Sequence, residues 1–251
     1  MDPLERLFAF TLFASRSVSA SINGQQQPLF PTHAYTIAFI GDSMTDYLRG
    51  GQDSLRSQLQ TFYPNKDFVF YNYGFGSTNI ASVIERLDKD TTYQGQSYPA
   101  VMGQQYDVII LESFANNPLI RNSMSESISD QNKALDAIVT KIKNKRPRSL
   151  LVFLATISPS NSHYGEGVVD LNMQERVRWA EERKQLLENH ILYAKSHRIP
   201  VLDVYSKSTT LGDRAEMLVN TTDHIHPSIE GIDFLVTEIA QQIHDLRIIP
   251  L

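Results

Sequence analysis

The chain has 251 residues, 41% of them apolar and 20% charged, a balance that suits one soluble α/β domain with a sizeable core and excludes a disordered or fibrous chain. A formal net charge of −5 without a long basic run argues against a nucleic-acid partner, because phosphate binding needs concentrated Lys and Arg. There is no cysteine, which excludes disulfides, thiolate catalysis and Cys-ligated zinc but leaves the compartment open.

Residues 1–30 read as an N-terminal segment, and residues 31–251 as a single folded domain. Leu7 to Ala14 is mostly apolar but too short to span a bilayer. Val18-Ser19-Ala20 offers a signal-peptidase site, but Asp2 and Glu5 cancel a basic start and Arg16 sits just before the site. The segment therefore reads as a short amphipathic helix or the remnant of a targeting or anchoring sequence. Membrane association is expected only through it, and an extracytoplasmic or membrane-associated location is favoured over a cytoplasmic one. Residues 21–35, with Asn23-Gly24, three glutamines and two prolines, have loop composition.

Five short apolar runs follow: Thr36 to Ile40, Phe68 to Tyr73, Val108 to Leu111, Leu150 to Ile157 and Pro200 to Val204. They lack strict alternation, as strands buried on both faces do. Between them lie helical stripes: Leu55, Leu59 and Phe62; Leu135, Ile138, Val139 and Ile142; Met173, Val177, Ala180, Leu187 and Ile191; and Ile232, Leu235, Ile239, Ile243 and Leu246. The alternation predicts a parallel sheet covered on both sides. Ligands of such sheets bind beyond the carboxyl ends of the strands. Ser43, Gly74, Asn116 and Asn117 all stand there. The long loops 114–125 and 158–171 are candidates for substrate contact.

Gly41-Asp42-Ser43 is a strand-to-helix turn that can expose a serine oxygen beside a backbone N–H, although an ordinary helix cap gives the same tripeptide. Asp223-His224-Ile225-His226-Pro227 supplies an acid three residues before a base, just ahead of the last helix. A metal site would need a further ligand cluster, which is not evident, and no cofactor is called for.

Taken together, Gly-Asp-Ser after the first strand and Asp-x-x-His-Pro before the last helix resemble the SGNH/GDSL hydrolases. The resemblance runs from residue 36 to about 240. It implies a three-layer α/β/α sandwich with a five-stranded parallel, flavodoxin-like sheet. It also implies a Ser43–His226–Asp223 triad that cleaves carboxylic esters. Asn72-Tyr73-Gly74-Phe75-Gly76 matches the second family block, which implies that the Gly74 N–H joins that of Ser43 in an oxyanion hole. The third block departs from the family's Gly-x-Asn-Asp. Counting from Asp107 points to Asn116, and likeness to members with Ser-Phe-x-x-Asn-Pro points to Asn117. His224 stands where the family often has glycine. His224, Phe114 and His163 are candidate substrate contacts.

The expected substrate is a small-molecule, carbohydrate or lipid ester. Alternatives are an O-acyltransferase using the same triad and an inactive carbohydrate-binding protein on the same fold. Glu112, at the end of a buried strand, reads as a structural hydrogen-bonding or ion-paired residue, since the triad already has its acid. Trp179 reads as packing or an amphipathic surface residue.

Overall fold

The computed structural model describes residues 34–119 and 121–250; the expectations for residues 1–30 lie outside the described residues. The chain runs β1 (Ala34–Gly41), α1 (Ser43–Tyr47), α2 (Gln52–Phe62), β2 (Asp67–Gly74), α3 (Val83–Asp88), β3 (Thr91–Tyr93), β4 (Gln96–Tyr98), β5 (Val108–Glu112), α4 (Met124–Lys145), β6 (Leu150–Ala155), α5 (Met173–Ser196), β7 (Val201–Asp203), α6 (Val204–Thr209) and α7 (Ile229–Asp245). The expected strands and long helices are all present. Five strands form one parallel sheet in the order β2-β1-β5-β6-β7. Strand order reverses between β1 and β5, and a doubly wound sheet opens its ligand crevice at that point.

Both faces of the sheet are covered, which is why the strands do not alternate in polarity. Successive side chains of a strand point to opposite faces. Ile37 and Phe39 of β1 pack with Leu55 and Leu59 of α2 and Leu235 and Ile239 of α7. Ala38 and Ile40 pack with Val83 and Leu87 of α3 and Leu135 and Ile138 of α4. Each such buried Leu or Ile stabilises the fold by roughly 1.5–3 kcal/mol. Side chains fix the helix starts: Ser123 accepts from Glu126 N, Asn172 and Glu175 form a reciprocal capping box, and Ser228 accepts from Gly231 N.

The β3–β4 hairpin is an addition that periodicity did not reveal, because three-residue strands are too short to show a period. Its two-residue turn, Gln94-Gly95, has positive φ at both positions, the geometry that matches strand twist.

His190 of α5 is wholly buried, stacked on Phe153 at 4.3 Å, with Nε2 donating to Leu111 O at 3.2 Å. Burial pushes its imidazole down to about 3, against the smaller opposing effect of the Leu111 hydrogen bond. The unfolded chain, with an ordinary His at about 6.5, then binds a proton that the folded chain refuses. Stability from this residue is present above about pH 6.5 and lost as pH falls below it. Urea midpoints should therefore drop more for wild type than for His190→Leu between pH 7 and 5. Equal drops would refute the assignment.

Candidate active site

The nucleophile turn is built by close approach. A Cβ on Gly41 would stand 1.9 Å from Thr45 Oγ1 and 2.8 Å from Glu112 Cβ, so only glycine lets β1 turn this tightly against β5. Asp42 caps α1, its Oδ1 accepting from Met44 N at 2.8 Å. Ser43 is the first residue of α1 and is half-buried.

Asp223 and His226, the expected acid and base, lie together on the loop before α7. Asp223 Oδ2 is 2.7 Å from His226 Nδ1, and Asp223 Oδ1 accepts from Ile225 N at 2.8 Å and His226 N at 3.0 Å. Burial pushes the Asp223 carboxyl up, but these three hydrogen bonds outweigh it and hold the group below the usual carboxylate range. The link to the serine is Tyr47. Ser43 and Tyr47, four residues apart, share one face of α1. The Tyr47 ring stacks on the His226 imidazole at 4.4 Å and 6°. Asp223 and His226 thus lie against α1, the helix that Ser43 begins at the carboxyl end of β1.

The loop after β2 corrects one expectation. Gly74 N donates to Asn72 Oδ1 at 2.8 Å, and a Cβ there would lie 2.3 Å from Asp46 N, so Gly74 is packed behind α1 with its N–H already used. Phe75 N donates to Gly41 O and Gly76 N to Tyr93 Oη. Ser77, with φ of 59°, carries the next N–H, which has no acceptor among the described residues. The loop passes close to the nucleophile: a Cβ on Gly76 would lie 3.6 Å from Ser43 Cβ. Buried Arg86 fixes it, with Nη1 donating to Gly41 O and Tyr73 O and Nη2 to Thr78 Oγ1 and Ser82 Oγ.

The loop after β5 separates the two asparagines. Asn117 Nδ2 donates to Asp42 Oδ2 at 2.8 Å, beside Ser43. Asn116 Oδ1 instead accepts from Tyr164 Oη at 3.1 Å, within a network that includes Arg183. Phe114 is a second correction. Its ring is only 2% exposed and lies under the Arg86 guanidinium at 5.5 Å, so it is core and cannot meet substrate. Its positive φ of 56° turns the chain back toward Asp42.

His163 and His224 come together at the rim, their rings 5.2 Å apart, with His163 Nδ1 2.6 Å from Glu166 Oε2. Among the described residues, no three His, Asp or Glu side chains gather as a metal site.

The Ser43 turn and the Asp223–His226 loop thus flank the carboxyl end of a doubly wound parallel sheet. The chain belongs to the GDSL-like lipase/acylhydrolase family, whose model matches residues 39–233, and is a carboxylic ester hydrolase of SGNH fold. No protein of curated function matches it by sequence. Among solved structures it is similar to a lipase/acylhydrolase from Enterococcus faecalis, with TM-score 0.60 and 15% identity over 84% of this chain and 96% of that one. It is also similar to an acetylxylan esterase from Geobacillus stearothermophilus, with TM-score 0.56 and 16% identity over 84% and 95% of the two chains. At such identities the likeness is one of fold.

Sequence reasoning missed Tyr47, Arg86 and Tyr93. The first two left a signal: Tyr47 is four residues from Ser43, and Arg86 interrupts a buried stripe with Val83 and Leu87. Tyr47→Ala should lower kcat/KM by about 10–100-fold through loss of His226 placement, while Tyr47→Phe should stay within about 3-fold. Matched kinetics on one ester test this; a Tyr47→Ala enzyme as fast as wild type would refute it.

Proposed function

We propose that Ser43, His226 and Asp223 act as a catalytic triad that deacylates carbohydrate esters. With Nδ1 held by Asp223, His226 Nε2 takes the Ser43 proton as Oγ attacks the acyl carbon. Asp223 orients the ring and stabilises its charged form. The tetrahedral oxyanion accepts from the N–H groups of Ser43 and Ser77 and from the second Nδ2 hydrogen of Asn117. His226 then gives its proton to the leaving sugar oxygen, leaving an ester on Ser43. Water attacks that ester, losing its proton to His226, and the free acid departs as Ser43 regains the proton.

The observation that carries the triad is the Asp223–His226 pair, stacked through Tyr47 on the helix that Ser43 begins. Asn117 is preferred to Asn116 because its amide is anchored on Asp42, the residue preceding Ser43. Ser77 is preferred to Gly74 because the Gly74 N–H is already bonded.

The carbohydrate reading is supported by a cleft of about 250 Å³ that begins one residue after Asn117 and is lined by Pro118, Ser123, Trp179, Glu182 and Arg183 among others. The Arg183 guanidinium lies over the Trp179 ring at 4.5 Å and reaches Tyr164 Oη, which in turn holds Asn116. An aromatic wall beside hydroxyl, carboxylate and guanidinium groups matches a sugar ring, with apolar C–H faces and a hydroxylated edge.

Two substrates separate these statements: p-nitrophenyl acetate and an acetylated xylo-oligosaccharide. Ser43→Ala and His226→Ala should each lose at least about 10³-fold in kcat on both, and Asn117→Ala about 10²–10³-fold. Normal turnover in Ser43→Ala or His226→Ala would refute the triad. Trp179→Ala should raise KM for the sugar ester by about 10-fold and leave p-nitrophenyl acetate unchanged. An equal effect on both esters, or none, would remove the sugar subsite. Acetyl transfer to an added sugar without release of free acetate would replace hydrolysis with acyl transfer.

A further inference from the structure

We infer that Glu112 is a positioning residue, acting as an un-ionised carboxylic acid that clamps the Ser43 turn to the Asn117 segment through Asp42. The inference rests on the oxyanion roles of Ser43 and Asn117 proposed above.

Glu112 ends β5 and is 1% exposed; Asp42 follows β1 and is wholly buried. Glu112 Oε2 accepts from Asp42 N at 3.1 Å, which brings the two buried carboxyl groups together. Glu112 Oε1 accepts from Ser113 Oγ at 2.7 Å and Phe114 N at 2.9 Å. Asp42 accepts at Oδ1 from Met44 N and at Oδ2 from Asn117 Nδ2, each at 2.8 Å. The contacts close a ring: Asp42 to Glu112, Glu112 to Phe114, along the backbone to Asn117, and back to Asp42. This ring fixes the Ser43 N–H relative to the Asn117 amide, two donors that arrive on different strands.

Two carboxyl groups brought together away from water do not both ionise. One proton between them leaves a single negative charge to face the buried Arg86 guanidinium. The other ionisable groups acting on the pair are His226, which favours the Asp42 anion, and Tyr164, whose own ionisation the Asp42 charge opposes. Burial raises both carboxyls, but the Asn117 and Met44 hydrogen bonds and the His226 charge favour the Asp42 anion, whereas burial followed by the Asp42 charge pushes Glu112 well above the ordinary range. The proton therefore sits on Glu112, whose hydroxyl donates to Asp42. Ionising Glu112 would break that hydrogen bond and place a second anion beneath a site that must stabilise an oxyanion.

The test is the pH dependence of kcat for wild type, Glu112→Gln and Glu112→Ala on p-nitrophenyl acetate. Glutamine keeps a neutral donor toward the Asp42 carboxylate and an acceptor for Ser113 Oγ and Phe114 N, losing only the acceptor for Asp42 N, so Glu112→Gln should hold kcat within about 10-fold of wild type at neutral pH. Glu112→Ala should lose about 10²-fold in kcat with KM within about 3-fold. Wild-type kcat should fall on the alkaline side, and Glu112→Gln should lack that fall.

Linkage gives a readout independent of activity. A carboxyl raised on folding stabilises the fold below its unfolded value and loses that contribution as pH rises. The Tm of Glu112→Gln should therefore gain on wild type as pH increases. If Gln is as damaging as Ala at neutral pH, or if the alkaline fall and the Tm difference are unchanged in Glu112→Gln, the inference fails. Should Glu112→Ala not fold, the two Gln readouts decide alone. A Ser43→Ala control separates the cases, since activity surviving there overturns the triad and leaves the Tm comparison standing.

Discussion

A buried cation holds the site together. Arg86 is 2% exposed, and its guanidinium donates to backbone carbonyls at the ends of two neighbouring strands, Gly41 O at 2.7 Å and Tyr73 O at 2.9 Å. The same group reaches Thr78 on the loop after β2 and Ser82 on the way into α3. Taking a guanidinium out of water is costly, and desolvation lowers this one to about 10, with Asp42 and Glu112 pulling the other way. It remains charged at neutral pH and so compensates the carboxyl pair beneath Ser43. Without it the carbonyls at the ends of β1 and β2 would be buried without these donors, and the buried Asp42 and Glu112 carboxyls would lose the cation that acts on them.

The sheet topology explains why so few segments suffice. In register, Gly41 of β1 pairs with Gly74 of β2, and Ile40 pairs with Leu111, one residue before Glu112. The strands end level with one another, so the loops after β1, β2 and β5 emerge side by side at the switch in strand order. Each brings one kind of group: the serine turn from β1, backbone donors from β2 and an asparagine amide from β5. The β3–β4 hairpin adds a brace, with Tyr93 Oη accepting from Gly76 N and donating to Asp46 on α1. Its ring stacks on Phe75 at 4.7 Å, fixing the loop from the side.

The fold was legible because buried parallel strands and amphipathic helices leave simple patterns. Apolar runs and 3.6-residue stripes located every strand of the main sheet and the four long helices. The Asp223–His226 spacing was equally legible, since both residues act from one turn of chain. Gly74 misled because a glycine at a strand end has two uses, close packing and donation, and only the fold separates them. Phe114 misled for a related reason. Asn117, three residues on, reaches Asp42 beside Ser43, but the left-handed backbone at Phe114 goes with a ring packed in the core. Asn116 and Asn117 were indistinguishable by spacing, because the choice depends on Asp42, 75 residues away from Asn117 in sequence.

The acid–base loop carries its own constraint. Asn220 organises it, accepting at Oδ1 from Thr222 N and Asp223 N, while its own N–H donates to His226 O. For the Asp223 carboxylate to meet the His226 ring and two backbone N–H groups only three residues on, the chain must fold back immediately, and His224 does so at φ of 54°. Glycine would adopt that conformation without strain, whereas a side chain there costs free energy that the neighbouring contacts must offset. What the β-carbon gains is position. The imidazole is carried to the rim against His163, and the loop bearing His163 is drawn close, with a Cβ on Gly167 lying only 2.8 Å from Thr222 O. A glycine at this position would allow the same Asp223–His226 pairing without the His163–His224 contact. The strained histidine thus ties the Asp223–His226 loop to the loop that carries His163.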